Sequence, residues 1–176
     1  MNGCLIQNFK NSSFFRIITL MVGVVMLFSS LFGCIKSYDV SGLVHFYYNY
    51  SDGYKMSVWN TFNLDVKDGK NVVSVKQRGV YSEEKEVEFY VEEDFVQNLE
   101  KILSTYNVGD WNGYDKIDKS VLDGDSFDIY ITNDKGKHFR ARGYMKWPEN
   151  YDKVKTEVTA LFTNAMEEYE ESLREK

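Results

Sequence analysis

The sequence predicts an α+β fold, an antiparallel sheet of about six strands packed on one face by one or two helices. Three observations point to it. Ser51-Asp52-Gly53, Lys67-Asp68-Gly69-Lys70 and Asp134-Lys135-Gly136-Lys137 are turn signals between runs rich in β-branched and aromatic residues, which is the hairpin pattern. Several of those runs alternate apolar and polar residues, the mark of a strand with one buried face. Two further segments carry apolar residues at helical spacing.

The chain opens with Lys10 and Arg16 and no acid, followed by an apolar run from Ile17 to Phe32 broken only by Thr19, Gly23, Ser29 and Ser30. Charged, then apolar, then small is the order of an export signal. Leu31, Gly33 and Cys34 resemble a bacterial lipobox: Leu31 is the branched residue three before the cysteine, Gly33 the small residue before the cut, and Cys34 the lipid acceptor. Phe32 departs from the small or β-branched residue usual there. The resemblance to lipoproteins implies a signal peptide over 1–33, a diacylglyceryl group on the Cys34 sulfur, and a place on the cell membrane, lipid-anchored at its extracytoplasmic face. Each buried methylene contributes about 0.8 kcal/mol, so two or three acyl chains hold durably where one does not. The alternative is an uncut helix from Ile17 to Ile35, close to the span of about 20 residues a bilayer requires. Both readings put residues 36–176 outside the cytoplasm.

After the cysteine a short tether, 34–41, leads into a single domain, 42–176. Strands are expected near Gly42 to Tyr50, Tyr54 to Val66, Asn71 to Tyr81, Glu86 to Val91, Ser126 to Asn133 and Lys137 to Met145. In the last pair Phe127, Ile129 and Ile131 alternate with Asp128, Tyr130 and Thr132, and Phe139, Ala141 and Gly143 alternate with His138, Arg140 and Arg142. A slip of one residue would bury both arginines, so the register is set. Phe95, Leu99, Ile102, Leu103 and Tyr106 form a helical stripe, and Glu92, Glu93 and Asp94 favour its start through the macrodipole. A second stripe, Val154, Val158, Leu161, Phe162, Ala165, Met166 and Tyr169, follows Pro148, and its charged tail from Glu167 to Lys176 is expected to fray.

Composition narrows the classes. The chain has 21 basic and 27 acidic residues, a net charge of −6, and loss of Lys10 and Arg16 with the leader makes the exported part more negative still. That balance argues against nucleic acid, which is gripped by clustered Lys and Arg, and against a broad embrace of anionic lipid. All 13 tyrosines follow Cys34 and Pro148 is the only proline, a composition suited to a sheet-rich globule. With Cys4 lost and Cys34 acylated, the domain has no disulfide and must be held by its core, which at this size buries about two thirds of the unfolded surface.

Trp111-Asn112-Gly113-Tyr114, then Val121 to Phe127 with Asp123-Gly124 inside it, then Gly143 and Trp147-Pro148-Glu149-Asn150-Tyr151 resemble, in that order, an uncharacterised exported domain recurring in lipoproteins and secreted proteins of low-GC Gram-positive bacteria. The resemblance spans about residues 43–165 and implies an exported globular domain, with no activity attached. On their own chemistry, Asp123-Gly124 suits a tight turn and Pro148 with Asn150 suits a helix start.

Four clusters bear on function. Asp110, Asn112, Asp115, Asp118, Asp123 and Asp125 offer oxygens for a calcium ion, but counting from Asp110 puts Asp115 where an EF-hand needs glycine and Val121 where it closes with glutamate; turns and caps account for the same residues. Tyr47, Tyr48, Tyr50, Tyr54 and Trp59 offer an aromatic platform for a sugar or peptide, and equally a packed strand pair. Arg140 and Arg142, with His138 and Tyr144, offer a grip for a carboxylate or phosphate, and equally cross-strand ion pairs. His45 and His138 lack a spaced second ligand for zinc, and no Gly-x-Ser-x-Gly or His-Glu-x-x-His motif is present, so no catalytic residue, metal ligand or cofactor is nominated. The expected role is that of a lipid-anchored extracytoplasmic binding protein whose partners are the membrane, through the anchor, and an envelope protein or glycan, with no nucleic acid. The competing classes are an envelope hydrolase using carboxylates and a calcium-stabilised structural module.

Overall fold

The structure, a computed structural model, describes residues 37–53, 58–79 and 83–175. The lipobox residues Leu31, Gly33 and Cys34, the apolar run before them, Tyr54 and Tyr81 lie outside the described residues. Within the domain, β1 (Leu43–Asp52), β2 (Val58–Lys67), β3 (Lys70–Arg78) and β4 (Lys85–Val91) precede helix α1 (Glu93–Thr105) and a 3-10 turn (Val108–Trp111). Then come β5 (Asp115–Ile117), β6 (Ser126–Asn133), β7 (His138–Tyr144) and helix α2 (Tyr151–Arg174).

The sheet order is β4-β3-β2-β1-β6-β7-β5. Neighbours pair antiparallel except β5, which runs parallel to β7 with Lys116 opposite Gly143. The expectation of six antiparallel strands is therefore corrected to seven strands in a mixed sheet. The seventh, β5, is three residues long and exposed along its length, too short to display a period of two. The six expected strands are all present within a few residues of their expected bounds. Between β2 and β3, Asp68 and Gly69 both have positive φ (54° and 73°), as a two-residue turn matched to strand twist requires.

Alternation sorts the side chains to two faces. Phe46, Tyr48, Phe62, Leu64, Val73, Val75, Phe89, Phe127, Ile129, Ile131 and Phe139 turn inward and meet Leu99 and Leu103 of α1 and Val154, Val158, Phe162 and Met166 of α2 in one core. Phe162 stacks on Phe46 (centroids 5.8 Å apart), lies tilted against Phe62 (5.0 Å) and meets Phe95 edge-on at 5.0 Å. In the middle of this core Tyr48 donates a hydrogen bond to the Tyr151 hydroxyl at 3.2 Å. Rather than fraying, α2 stays helical through its acidic tail to Arg174, with Tyr169 stacked on Phe89 and Glu170 paired with Lys85. Asn150 opens α2 from a left-handed conformation (φ 62°) without a side-chain cap.

The segment expected as a tether is seated on the domain over its described part. Tyr38 and Val40 are buried in the core. The Tyr38 N–H donates to the Gly109 carbonyl (3.1 Å), its hydroxyl to the Lys137 carbonyl (2.9 Å), and its ring meets Phe139. Asn133, the only buried polar side chain among the described residues, ties this segment to the β6–β7 turn. It donates to the Asp39 carbonyl and accepts from the Lys135 and Lys137 N–H groups. Two apolar residues with polar neighbours read as a linker in sequence; the pocket that receives them is made by residues about 70 to 100 positions away.

Candidate binding face

Both helices pack on one face of the sheet, and the opposite face is formed by the other half of each alternating strand. On β1 it carries His45, Tyr47, Asn49 and Ser51; on β2 Trp59, Thr61, Asn63 and Asp65; on β6 Ser126, Asp128, Tyr130 and Thr132; on β7 His138, Arg140, Arg142 and Tyr144. These residues bond chiefly to one another. Asn49 donates to Thr61 (2.8 Å), the Ser51 and Ser126 hydroxyls pair (2.7 Å), and His45 Nδ1 meets Asp65 (2.6 Å). Tyr130 lies between the two histidines, 5.6 Å from the His45 ring and 5.9 Å from that of His138, with its hydroxyl 2.7 Å from His138 Nδ1.

Arg140 forks onto Asp128 (3.2 and 2.6 Å) and Arg142 onto Asp115 (2.8 and 2.7 Å). Of the two sequence readings of these arginines, cross-strand pairing is the one seen, and the Arg142 pair also ties β5 to the sheet. The Arg142 guanidinium holds the Asp115 carboxyl below the usual carboxylate range, because a bidentate fork favours the charged form. Partial burial, and then the Asp128 charge, push the Tyr47 hydroxyl up.

The aromatic cluster is divided by the same alternation. Tyr48 is buried beneath the helices, and Tyr50 lies under Lys155, whose Nζ is 4.4 Å from the ring centroid. Tyr47 and Trp59 face outward, Trp59 beneath the Lys76 ammonium at 5.5 Å. A single platform of four tyrosines is therefore not formed.

Two hollows adjoin at the Asp52 end of this face. One, of about 260 Å³, is lined by Trp59, Tyr144, Ser51, Gly53 and Leu122. The other, of about 240 Å³, shares Tyr144 and adds Asn49, Asp128, Arg142 and Ile117. Their wall is the loop between β5 and β6. Tyr144 donates to the Leu122 carbonyl (2.8 Å), the Gly53 N–H donates to Asp125 (3.1 Å), and a Cβ on Gly53 would come within 2.0 Å of the Gly124 carbonyl oxygen. This contact is what glycine supplies at position 53, whereas a Cβ at position 124 would come within 2.3 Å of the Met145 side chain. Leu122 is 93% exposed and Ile117 56%, so apolar surface rims a polar floor. Neither Leu122 nor Ile117 is legible as a site residue, because nothing local in the sequence marks a loop leucine or the end of a three-residue strand as exposed.

Three of the aspartates that could have offered oxygens to a cation go to separate partners. Asp115 holds Arg142; Asp118 accepts from Ser120 and pairs with Lys146 (3.2 Å), which keeps its carboxyl at about 2; Asp125 accepts from Gly53. Among the described residues no three His, Cys, Asp or Glu side chains converge as a metal-binding group.

Fold and face together define a two-layer α+β domain whose sheet is covered by helices on one side and carries aromatic-lined hollows on the other. Comparison with known proteins finds no matching family model and no significant match among curated proteins or solved structures.

Proposed function

We propose that the chain is an extracytoplasmic lipoprotein, cut between Gly33 and Cys34 and anchored through the Cys34 thioether, whose helix-free sheet face binds an envelope protein or glycan. The observation that carries the binding reading is the pair of hollows where Trp59 and Tyr144 meet Asn49, Asp128 and Arg142. Aromatic faces beside fixed hydrogen-bonding groups suit both sugar rings and peptide side chains.

The hollows lie away from the point where the described chain begins. The described chain enters at Ser37 beside Gly109 and the 134–137 turn, whereas Trp59 and Tyr144 sit at the other end of the strands, about 20 Å along β7 at 3.3 Å per residue. Three residue steps separate Cys34 from Ser37, a reach of at most about 11 Å. A lipid at Cys34 would lie within that reach of Ser37.

Two measurements test this reading. Mass spectrometry of the amino-terminal peptide from bacterial membranes should show a diacylated Cys34 start, and Cys34→Ala should fold normally yet remain unprocessed; a processed, membrane-held Cys34→Ala protein removes the lipoprotein assignment. Co-sedimentation of the intact chain with purified cell-wall glycan, and photocrosslinking to envelope proteins from the exposed rim position 122, should both be measured against a Trp59→Ala, Tyr144→Ala chain. Retention should fall by about tenfold or more if these rings are anchors, and unchanged retention removes this face as the binding surface.

A further inference from the structure

We propose that the terminal strand β4 and the flank of α2 form a second docking groove, on the helix-covered side of the molecule, for an extended peptide that carries lysine or arginine between apolar residues. The groove has a volume of about 640 Å³ and lies between the end of β4, the first turns of α1 and the second half of α2. Its floor is apolar, with Phe89, Phe95, Leu161 and Ala165 beside the stacked Tyr169 ring. Its rim is acidic, formed by the exposed Glu92, Asp94 and Glu168, and no lysine, arginine or histidine is among its described lining residues. The neighbouring Glu88 and Glu170 are paired with Lys67 and Lys85. Among the described residues the three rim carboxylates have no such partner.

The strand beside the groove explains why an extended peptide is the occupant. Among the described residues β4 is the last strand on its side of the sheet, so one row of its backbone donors and acceptors has no described strand next to it. Charged side chains normally blunt such an edge, and Lys85, Glu86 and Glu88 do so over the first part of β4. Phe89, Tyr90 and Val91, the part that reaches the groove, carry no charge, and Tyr90 is 69% exposed. An extended chain laid along them gains main-chain hydrogen bonds and turns one set of its alternate side chains onto the floor, while the acidic rim attracts the positive charge of the chain as a whole. The α2 segment from Leu161 to Ser172 covers about 16 Å at 1.5 Å per residue, which matches about five residues of extended chain. The sign of the rim makes the choice between peptides, since basic segments are attracted and acidic ones repelled.

The probe is a fluorescein-labelled decapeptide of alternating lysine and valine, titrated by anisotropy into the full-length chain in a neutral detergent, with detergent alone as background. Saturable binding is expected, weakened roughly tenfold or more by Asp94→Lys with Glu168→Lys, and equally for a probe N-methylated on alternate amides, which keeps its charge and loses its strand hydrogen bonds. Ala165→Trp fills the floor and should give the same loss; the two charge replacements lie on exposed positions and report even if the tryptophan disturbs packing. Equal affinity for the methylated probe or for the charge variant marks general attraction to an acidic protein and overturns the proposal. Absence of saturable binding overturns it as well.

Discussion

Gly143 illustrates how much a single residue decides in this sheet. It sits at an inward position of β7, where a Cβ would come within 2.2 Å of the Lys146 carbonyl oxygen and 2.5 Å of the Phe127 ring. Phe127 in turn packs on Tyr151 (4.7 Å) and Trp147 (5.8 Å), so no neighbour can move freely to admit a methyl group. Gly143→Ala should destabilise the domain by about 1–3 kcal/mol through overpacking, read as a lower denaturant midpoint at unchanged slope. An unchanged midpoint would mean that the strand end is looser than the packing implies. In sequence Gly143 stands at an inward position between Ala141 and Met145, and its face is legible; the crowding above it is not, because Lys146 and Phe127 reach it through the chain's bend after β7 and through the β6–β7 pairing.

At the level of elements, the local signals were the readable ones. Hairpin turns and the alternation of β6 and β7 are written in adjacent residues, and so are the stripes of α1 and α2. The seating of Ser37–Ser41 and the existence of β5 are not, because each depends on a partner far along the chain. Tyr38 is the test of the first. Its ring rests on Phe139, its hydroxyl bonds to the Lys137 carbonyl, and its N–H closes onto Gly109. Tyr38→Ala should therefore cost about 3 kcal/mol, as for other large buried aromatics, and should speed amide exchange at Lys135 and Lys137, whose N–H groups rely on Asn133. Loss of the side chain without loss of stability would restore the segment to a plain tether.

For the molecule as a whole, pH dependence should follow from the phenols shut inside the core. Burial pushes the hydroxyls of Tyr48 and Tyr151 far above the ordinary tyrosine value. In the unfolded chain both ionise near the usual value of about 10. Their folded values are raised, so their contribution to stability is complete below about pH 10 and is lost as the pH rises beyond it. The urea midpoint should hold to about pH 9 and fall by about pH 11, and should fall less steeply in a Tyr48→Phe, Tyr151→Phe chain; equal slopes would place the alkaline sensitivity elsewhere. By itself the sequence determined the α+β class, six of the seven strands, both helices, and the inward and outward sets of the β6–β7 pair. All of these rest on residues within a few positions of one another. Only the tertiary structure decided the sheet order, the parallel β5, the face to which each tyrosine of β1 turns, the hollows between Trp59 and Tyr144, and the acidic groove beside β4. These join residues up to about 100 positions apart, and pairing between strands and the placing of helices on one face are set by the burial of the whole core, which no local pattern records.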